Sequence, residues 1–356
     1  MFRNELQVGE AKPLGKFDED HSAVNTRRKK LMRKFTLAII GAAYGIAMMS
    51  SVANAASCGK VSITEMNWAS SQIITEVAKF LMEQGYGCKV EKVPSATTTA
   101  VASLAENGEP DIVTELWLNS TGDAYSKMEK AGKVERLADV LAPGGVEGWW
   151  VPEYLVKKHP QLKSVKDVLA NPKLVGGRFN NCPDGWGCRI VNDNPAKALK
   201  MKAAGMEILN HGSGETLATS IAAAYEDKKP WFGYYWGPTA VLGKYKMVKL
   251  SIGDIDKKVQ ANNSNKDIAN PGVSDFPPAP VLTVVTAAFK KREPAIAELM
   301  SKVSFNVDTM NGLLAWKKEQ KASAEEAAVR FLNQEKGTWS KWTNADARKK
   351  LSAILK

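Results

Sequence analysis

The chain has 356 residues, 44% hydrophobic and 24% charged, with 27 Gly, 16 Pro and a formal net charge of +11. That length suits one large domain or two ordinary ones, and the ordinary composition excludes disordered, collagen-like and membrane-bundle classes. The basic residues are dispersed in short groups such as Lys290-Lys291-Arg292 and Arg348-Lys349-Lys350, without aromatic interleaving, so no nucleic-acid partner is expected.

Residues 1–55 read as an extension plus a secretory signal. Arg27, Arg28, Lys29, Lys30, Arg33 and Lys34 precede an apolar run of 15 residues, Phe35 to Met49, and then Ala53-Asn54-Ala55. This order of basic region, apolar core and small-residue site predicts cleavage after Ala55 and a periplasmic product. An uncleaved anchor is the rival, but the run falls short of the roughly 20 residues that span a bilayer. A lipid anchor at Cys58 lacks the bulky aliphatic residue before it, and Met32 is an alternative start. Nine of the 49 Lys/Arg and five of the 38 Asp/Glu precede Ala56, so the mature chain carries 40 against 33, or +7. Its four cysteines, Cys58, Cys88, Cys182 and Cys188, suggest two disulfides in an oxidising compartment. Zinc is not expected, since no C-x-x-C pair exists and His159 and His211 lie far from any cysteine.

The pattern VSITEM at 61–66 predicts a buried strand. A helix then opens at Ser70 or Ser71, with Ile73, Ile74, Val77, Phe80 and Leu81 at helical spacing, and ends at Gly85. A strand near 88–93, a helix near 97–106 and a strand at 111–117 continue a rhythm that implies a parallel sheet with helical crossovers. Further along, the pattern predicts GWWVPEYL at 148–155, a helix at 164–170, a strand at 174–179 and a helix at 192–204. A helix at 213–226 then runs into the strand WFGYYW at 231–236. Residues 251–280, rich in Asn, Asp, Gly and Pro, read as a crossing segment outside the core. PVLTVVTAAF at 280–289 predicts one more buried strand, and helices follow at 293–305, 307–320 and 323–335, the last with Ser323 and Glu326 in capping-box spacing. Two α/β lobes result: 56–146 plus 277–356, and 147–276. No internal repeat is evident.

Ten tryptophans are more than usual, and their positions carry the argument. Trp68 follows the first strand, Trp117 closes the third and Trp236 closes WFGYYW. Ligands of open α/β sheets bind outside the carboxyl ends of the strands, so these indoles can converge on one cleft. Trp149 starts the second lobe, and Trp186 tips the loop NCPDGWGC. Any single tryptophan is as readily a core residue, but these precede polar or turn residues, whereas Trp339 and Trp342 belong to helical packing. Indole faces attract a methylated ammonium, which has diffuse charge and no N–H donors, at about 0.5–2 kcal/mol per ring.

These residues resemble the periplasmic substrate-binding proteins of glycine betaine and proline betaine ATP-binding-cassette importers, with their choline-binding relatives. CPDGWGC at 182–188 is similar to the family's disulfide-closed Trp loop, which implies a Cys182–Cys188 bridge, Trp186 as a wall of the box, and the N–H groups of Gly187 and Cys188 as carboxylate donors. ELW at 115–117 and YYWGP at 234–238 resemble two other box segments, giving Trp117 and Trp236. MNW matches the early aromatic of the choline branch, giving Trp68, and Trp149 sits where those relatives have a second-lobe aromatic, with Trp150 as its neighbour. The remaining cysteines pair as Cys58–Cys88, at the starts of neighbouring strands. The chain departs from the family in reading WGPTA where many members read W-x-P-H-W, and in Glu115, which alternation places on the side of Trp117. A protonated Glu115 would donate to an N-oxide or hydroxyl; an ionised one would favour a cation such as choline.

The resemblance implies a two-lobed periplasmic binding protein fold of type II, each lobe a mainly parallel sheet flanked by helices, with ligand in the cleft. It implies a monomeric, non-enzymatic receptor, without cofactor or metal, that hands a trimethylated ammonium solute to an inner-membrane permease. Glycine betaine is the reference solute, with choline and trimethylamine N-oxide as alternatives. Two other classes stay open: an exported enzyme using Cys182, Cys188 or His211, and a binding module feeding a sensor.

Overall fold

The computed structural model describes residues 58–355. The expected signal peptide, its cleavage site and the alternative start lie outside the described residues. Twelve strands follow in chain order: β1 (Lys60–Met66), β2 (Lys89–Ser95), β3 (Ile112–Trp117), β4 (Val134–Asp139), β5 (Leu141–Ala142), β6 (Val146–Pro152), β7 (Arg178–Asn181), β8 (Glu207–Asn210), β9 (Gly233–Gly237), β10 (Met247–Leu250), β11 (Val281–Thr286) and β12 (Phe305–Asn306). β1 buries Val61, Ile63 and Met66 completely, and the helix Ala69–Phe80 brings Ile73, Ile74 and Val77 to the same core. Alternation in the strand and 3.6-residue spacing in the helix therefore meet at one apolar interface.

The first sheet has the order β2-β1-β3-β11-β4, the second β10-β6-β9-β7-β8. In the first, β1 is parallel to β2 and β3, while β11 is antiparallel to β3 and β4. In the second, β7 is parallel to β8 and β9, while β6 is antiparallel to β9 and β10. Each sheet is thus mainly parallel, with one reversed strand. Taken from its other edge, the second sheet runs β8-β7-β9-β6-β10, which is the order and direction pattern of the first. A repeat invisible in the residues is present in the topology.

The reversed strands are the ones that enter from the other sheet. Just before β6 the chain passes Gly145, and just before β11 it passes Ala279; these two residues exchange backbone hydrogen bonds of 2.8 and 3.2 Å. The two crossings therefore lie side by side, and each delivers a strand whose first residue, not its last, lies beside the carboxyl ends of its neighbours.

Several boundaries differ from the sequence pattern. The strand expected at 174–179 is β7, because Pro172, whose fixed φ suits the first turn of a helix, opens a short turn over Pro172–Val175. The helix expected at 192–204 spans Gly187–Ala198 and starts inside the cysteine loop, with Pro195 in its interior. The segment 251–280 is not all outside the core: it holds the helix Lys257–Asn263 and buries Asn263, Ser274 and Phe276. Strands β4, β8 and β10 and the helices Lys336–Trp342 and Ala345–Ile354 were not legible. Trp339 and Trp342 do pack in the helical end, Trp342 stacked on Phe331 at 5.7 Å.

Both disulfides join the expected cysteines, Cys58–Cys88 with Cα atoms 4.4 Å apart and Cys182–Cys188 with 6.2 Å. The first links the entries of β1 and β2 across a sequence separation of 30. Closing a loop of that length removes unfolded-state entropy worth roughly 3 kcal/mol. A Cys58→Ser/Cys88→Ser variant should lose about that much in denaturant unfolding while keeping its solute affinity; an unchanged midpoint would refute the assignment of stability to this bridge.

Candidate functional site

Side chains from both sheets surround one small cavity. Trp68, Trp117, Trp186 and Trp236 form its walls, joined by Tyr234, Thr97, Ser120, Glu147, Gly187 and Cys188. Trp68 leaves β1 just before the helix Ala69–Phe80, Trp117 ends β3, Trp236 lies next to the end of β9, and Trp186 is the residue before the helix Gly187–Ala198. All four sit at carboxyl ends of strands or at the helix start that follows one, the place where side chains of an open sheet face a crevice.

Three of the four N–H edges are tied back. The Trp68 indole donates to Glu115 Oε1 at 2.5 Å, Trp117 to the same oxygen at 3.2 Å, and Trp186 to Asn67 Oδ1 at 2.7 Å. Trp186 stands edge-on to Trp68 at 5.1 Å and to Trp236 at 5.0 Å, and Trp236 stacks with Tyr234 at 6.3 Å. Two glycines permit the close approaches this needs. A Cβ on Gly145 would sit 2.2 Å from the Trp117 ring, and one on Gly187 would sit 2.2 Å from the Ser120 carbonyl oxygen.

The lining has no Lys, Arg or His; its charged candidate is Glu147. Glu147 Oε1 accepts from the Tyr234 hydroxyl at 2.8 Å and Oε2 from Asn119 Nδ2 at 3.3 Å. Burial pushes the Glu147 carboxyl above its ordinary range, partly offset by these two donors. Burial and the adjacent Glu147 hold the Tyr234 hydroxyl well above its usual value, so it stays a donor. Ser120 Oγ is buried without a hydrogen-bond partner among the described residues. The N–H groups of Gly187 and Cys188 open a helix, where backbone donors lack intrahelical acceptors and the helix dipole favours negative charge. The arrangement offers aromatic faces to a soft cation and donors to an oxygen beside it.

Of the expected site residues, Trp68, Trp117, Trp186, Trp236, Gly187 and Cys188 come together, and two do not. Trp149 is fully buried against Phe179 at 4.6 Å, with its N–H on Asn192 Oδ1 at 2.8 Å. Because β6 runs in reverse, its start faces the cavity, and Glu147, two residues earlier on the same face, takes the place expected for Trp149. Trp150 is also outside the lining, donating to the Tyr235 carbonyl at 3.0 Å. Glu115 lies behind the box and not in its lining. The register of β3 against β11 shifts between Leu282 and Val284, and Glu115 has φ 55°, so simple alternation fails there. Tyr234 and Glu147 were missed, although each lies two residues from a tryptophan on its strand. Cys182 and Cys188 are bonded to each other, and His211, which contacts Asn180 at 3.0 Å, lies outside the lining.

Comparison with known proteins bears on this geometry. Residues 59–334 match the family described as the substrate binding domain of ABC-type glycine betaine transport systems. A trimethylamine N-oxide-binding protein of Pelagibacter ubique (strain HTCC1062) is 21% identical over 324 residues, covering 88% of this chain and all of that protein. Among solved structures, a choline-binding protein of an ABC transporter with choline superposes with a TM-score of 0.66 at 19% identity, covering 84% of this chain and 99% of that one. Lactococcal OpuAC, closed on glycine betaine, gives 0.63 at 20% identity, covering 80% and 100%. Those likenesses show the two-lobed fold of periplasmic binding proteins.

Burial raises the Glu115 carboxyl to about 7 from 4.5, against the opposing pull of Ser70, Trp68 and Trp117. Between those values the native state holds a proton that the unfolded state has lost, so stability falls as pH rises through the interval. Glu115→Gln should remove that fall: from about pH 5 to about pH 8 the parent should lose on the order of 3 kcal/mol more than the variant in urea unfolding. Parallel curves would show that the native carboxyl titrates normally.

Proposed function

The chain belongs to the family of substrate-binding domains of ABC-type glycine betaine transport systems, and we propose that its box captures a small trimethylated ammonium solute carrying its own oxygen, trimethylamine N-oxide fitting best. The observation that carries this reading is Glu147, a buried carboxyl inside an indole-lined cavity that has no cationic side chain. In an amine oxide the oxygen sits directly on the nitrogen, so its donor must stand at the wall of the box. Glu147, whose carboxyl burial pushes toward its protonated form, stands there, with Ser120 beside it. The methyl groups then meet the four indoles, which replace the weak water shell of a quaternary nitrogen at about 0.5–2 kcal/mol per ring. The name of the Pelagibacter relative points the same way.

Glycine betaine is the second reading, favoured by the Gly187 and Cys188 amides at the helix start. A carboxylate one carbon from the nitrogen would reach donors that an N-oxide oxygen leaves to Glu147. In either case the protein acts as an exported, monomeric receptor. Lobes 56–146 plus 277–356 and 147–276 close about the paired crossings at Gly145 and Ala279, and the closed form delivers solute to the permease. Bound solute shifts the population toward that form because only there do walls from both lobes touch it.

Titration followed by tryptophan fluorescence and calorimetry should give saturable binding of trimethylamine N-oxide, tighter than glycine betaine and choline. Tightest binding of glycine betaine would replace the first reading by the second, and silence to all three would sink both. Affinity for the N-oxide should fall as pH rises and Glu147 loses its proton, and Glu147→Gln, which keeps an N–H donor, should flatten that dependence. Trp186→Ala, which removes one wall, should weaken binding roughly tenfold or more.

A further inference from the structure

Glu115 is the least explained residue of the core. It is 0% exposed, no Lys, Arg or His side chain pairs with it among the described residues, and its Oε2 has no hydrogen-bond partner. Its backbone adopts φ 55°, a left-handed conformation that a non-glycine residue rarely takes and that carries strain. A buried carboxyl without a cation is expensive to keep, and a glutamine or leucine would serve packing better. What Glu115 does hold is the box. Its Oε1 collects the N–H of Trp68, the N–H of Trp117 and the hydroxyl of Ser70, which sits in the first turn of the helix that follows Trp68.

Two of the four walls thus hang from one oxygen. An indole held by its N–H edge cannot rotate its face away from the cavity, and a hydrogen bond to an ionised acceptor is stronger and more directional than one to a neutral acceptor. The same charge lies at the N–H edges of the rings, outside the lining of the cavity. With no water between, a buried charge acts across the width of an indole, since the Coulomb energy falls only as the inverse of distance and the local dielectric is low. The negative potential that a π face already offers a cation is reinforced by this charge at the ring edge. Ser70 and the two indoles supply donors to one oxygen alone, which leaves the carboxyl electrostatically unsatisfied until a cation arrives in front of the rings.

We propose that Glu115 is the positioning and selectivity residue of the box: without touching solute it locks the Trp68 and Trp117 rings by their N–H edges and makes the box prefer a methylated cation to an uncharged molecule of the same shape. This rests on the reading of the cavity as a trimethylammonium site. It differs from the part given to Glu147, which faces the solute oxygen.

The test compares nitrogen solutes with their carbon isosteres, trimethylamine N-oxide with tert-butanol and choline with 3,3-dimethylbutan-1-ol, by calorimetry and ligand-observed NMR above pH 8, where Glu115, raised to about 7, is ionised. The parent should prefer the nitrogen member of at least one pair. Glu115→Gln keeps an oxygen for Trp68 and loses the charge; it should reduce that preference tenfold or more while leaving the carbon isostere bound as before. Glu115→Ala, which frees both rings, should weaken both members. The Trp68 indole N–H resonance should move upfield in the glutamine variant, reporting the weaker hydrogen bond. If Glu115→Gln weakens both members of a pair equally, or neither, selectivity does not come from its charge and the proposal falls. If the parent itself binds no nitrogen member, the trimethylammonium reading fails first, and a failure of that kind is distinct from an unaltered preference in the variant. Thermal denaturation of each variant separates lost affinity from lost fold, and a glutamine variant that unfolds under the assay conditions would assign Glu115 to stability and overturn the proposal.

Discussion

The contact on which the site depends is the one between the start of the helix Gly187–Ala198 and the strand ends of the first sheet. Trp186 donates to Asn67, Thr98 donates through its backbone and hydroxyl to the Gly185 carbonyl, and Gly187 lies against Ser120. None of these groups belongs to the same sheet as its partner. Take that contact apart and Trp68 loses its edge-on neighbour, the helix donors lose the Ser120 side of the cavity, and Glu147 loses Asn119. The box is therefore a property of the meeting of two surfaces, and each surface alone presents a half-lined groove open to water. The Cys182–Cys188 bridge keeps one of those surfaces in shape on its own, because it closes the loop before the helix begins.

How much of this was legible in the sequence follows from what is local. A tryptophan between a buried run and a turn signal marks a strand end without any knowledge of pairing, and Trp68, Trp117 and Trp236 were found that way. Trp186, Gly187 and Cys188 came from a resemblance carried by seven contiguous residues. Strand direction is not local. Whether the cleft meets the start or the end of GWWVPEYL depends on which neighbour it pairs with, and β9 lies some 85 residues further on, so Trp149 was put where Glu147 stands. Glu115 is a second case of the same kind. Alternation within ELW is a rule for regular strands, and the irregularity that breaks it arises against Thr283 of β11, far along the chain. The helix beginning at Gly187 was placed five residues late, at 192, because Pro183, Asp184, Gly185 and Gly187 give the cysteine loop the composition of a turn.

The electrostatics divide along the same line. Apart from Glu147, the residues lining the cavity are aromatic, hydroxyl or backbone groups, and the two carboxyls are kept apart by role and by sheet. Glu115 sits at the N–H edges of the rings of the first sheet with one oxygen saturated by donors, and Glu147 sits in the lining contributed by the second with a tyrosine and an asparagine on it. Burial raises both, but the donors around each differ, so the two need not share one charge state. A cation and an oxygen bonded to it can then be received from opposite directions.

The common strand order of the two sheets gives this division an origin. Trp68 follows the first strand of its sheet's parallel trio and Trp186 follows β7, its counterpart; Trp117 ends β3 and Trp236 stands next to the end of β9, again a matched pair. Two residues before each of the latter stand Glu115 and Tyr234. The four walls are thus two copies of one half-site, and a headgroup with equivalent methyls would be indifferent to which half it met. The inequivalent pair, an acid outside the lining in one copy and a phenol within it in the other, makes the two halves electrostatically different.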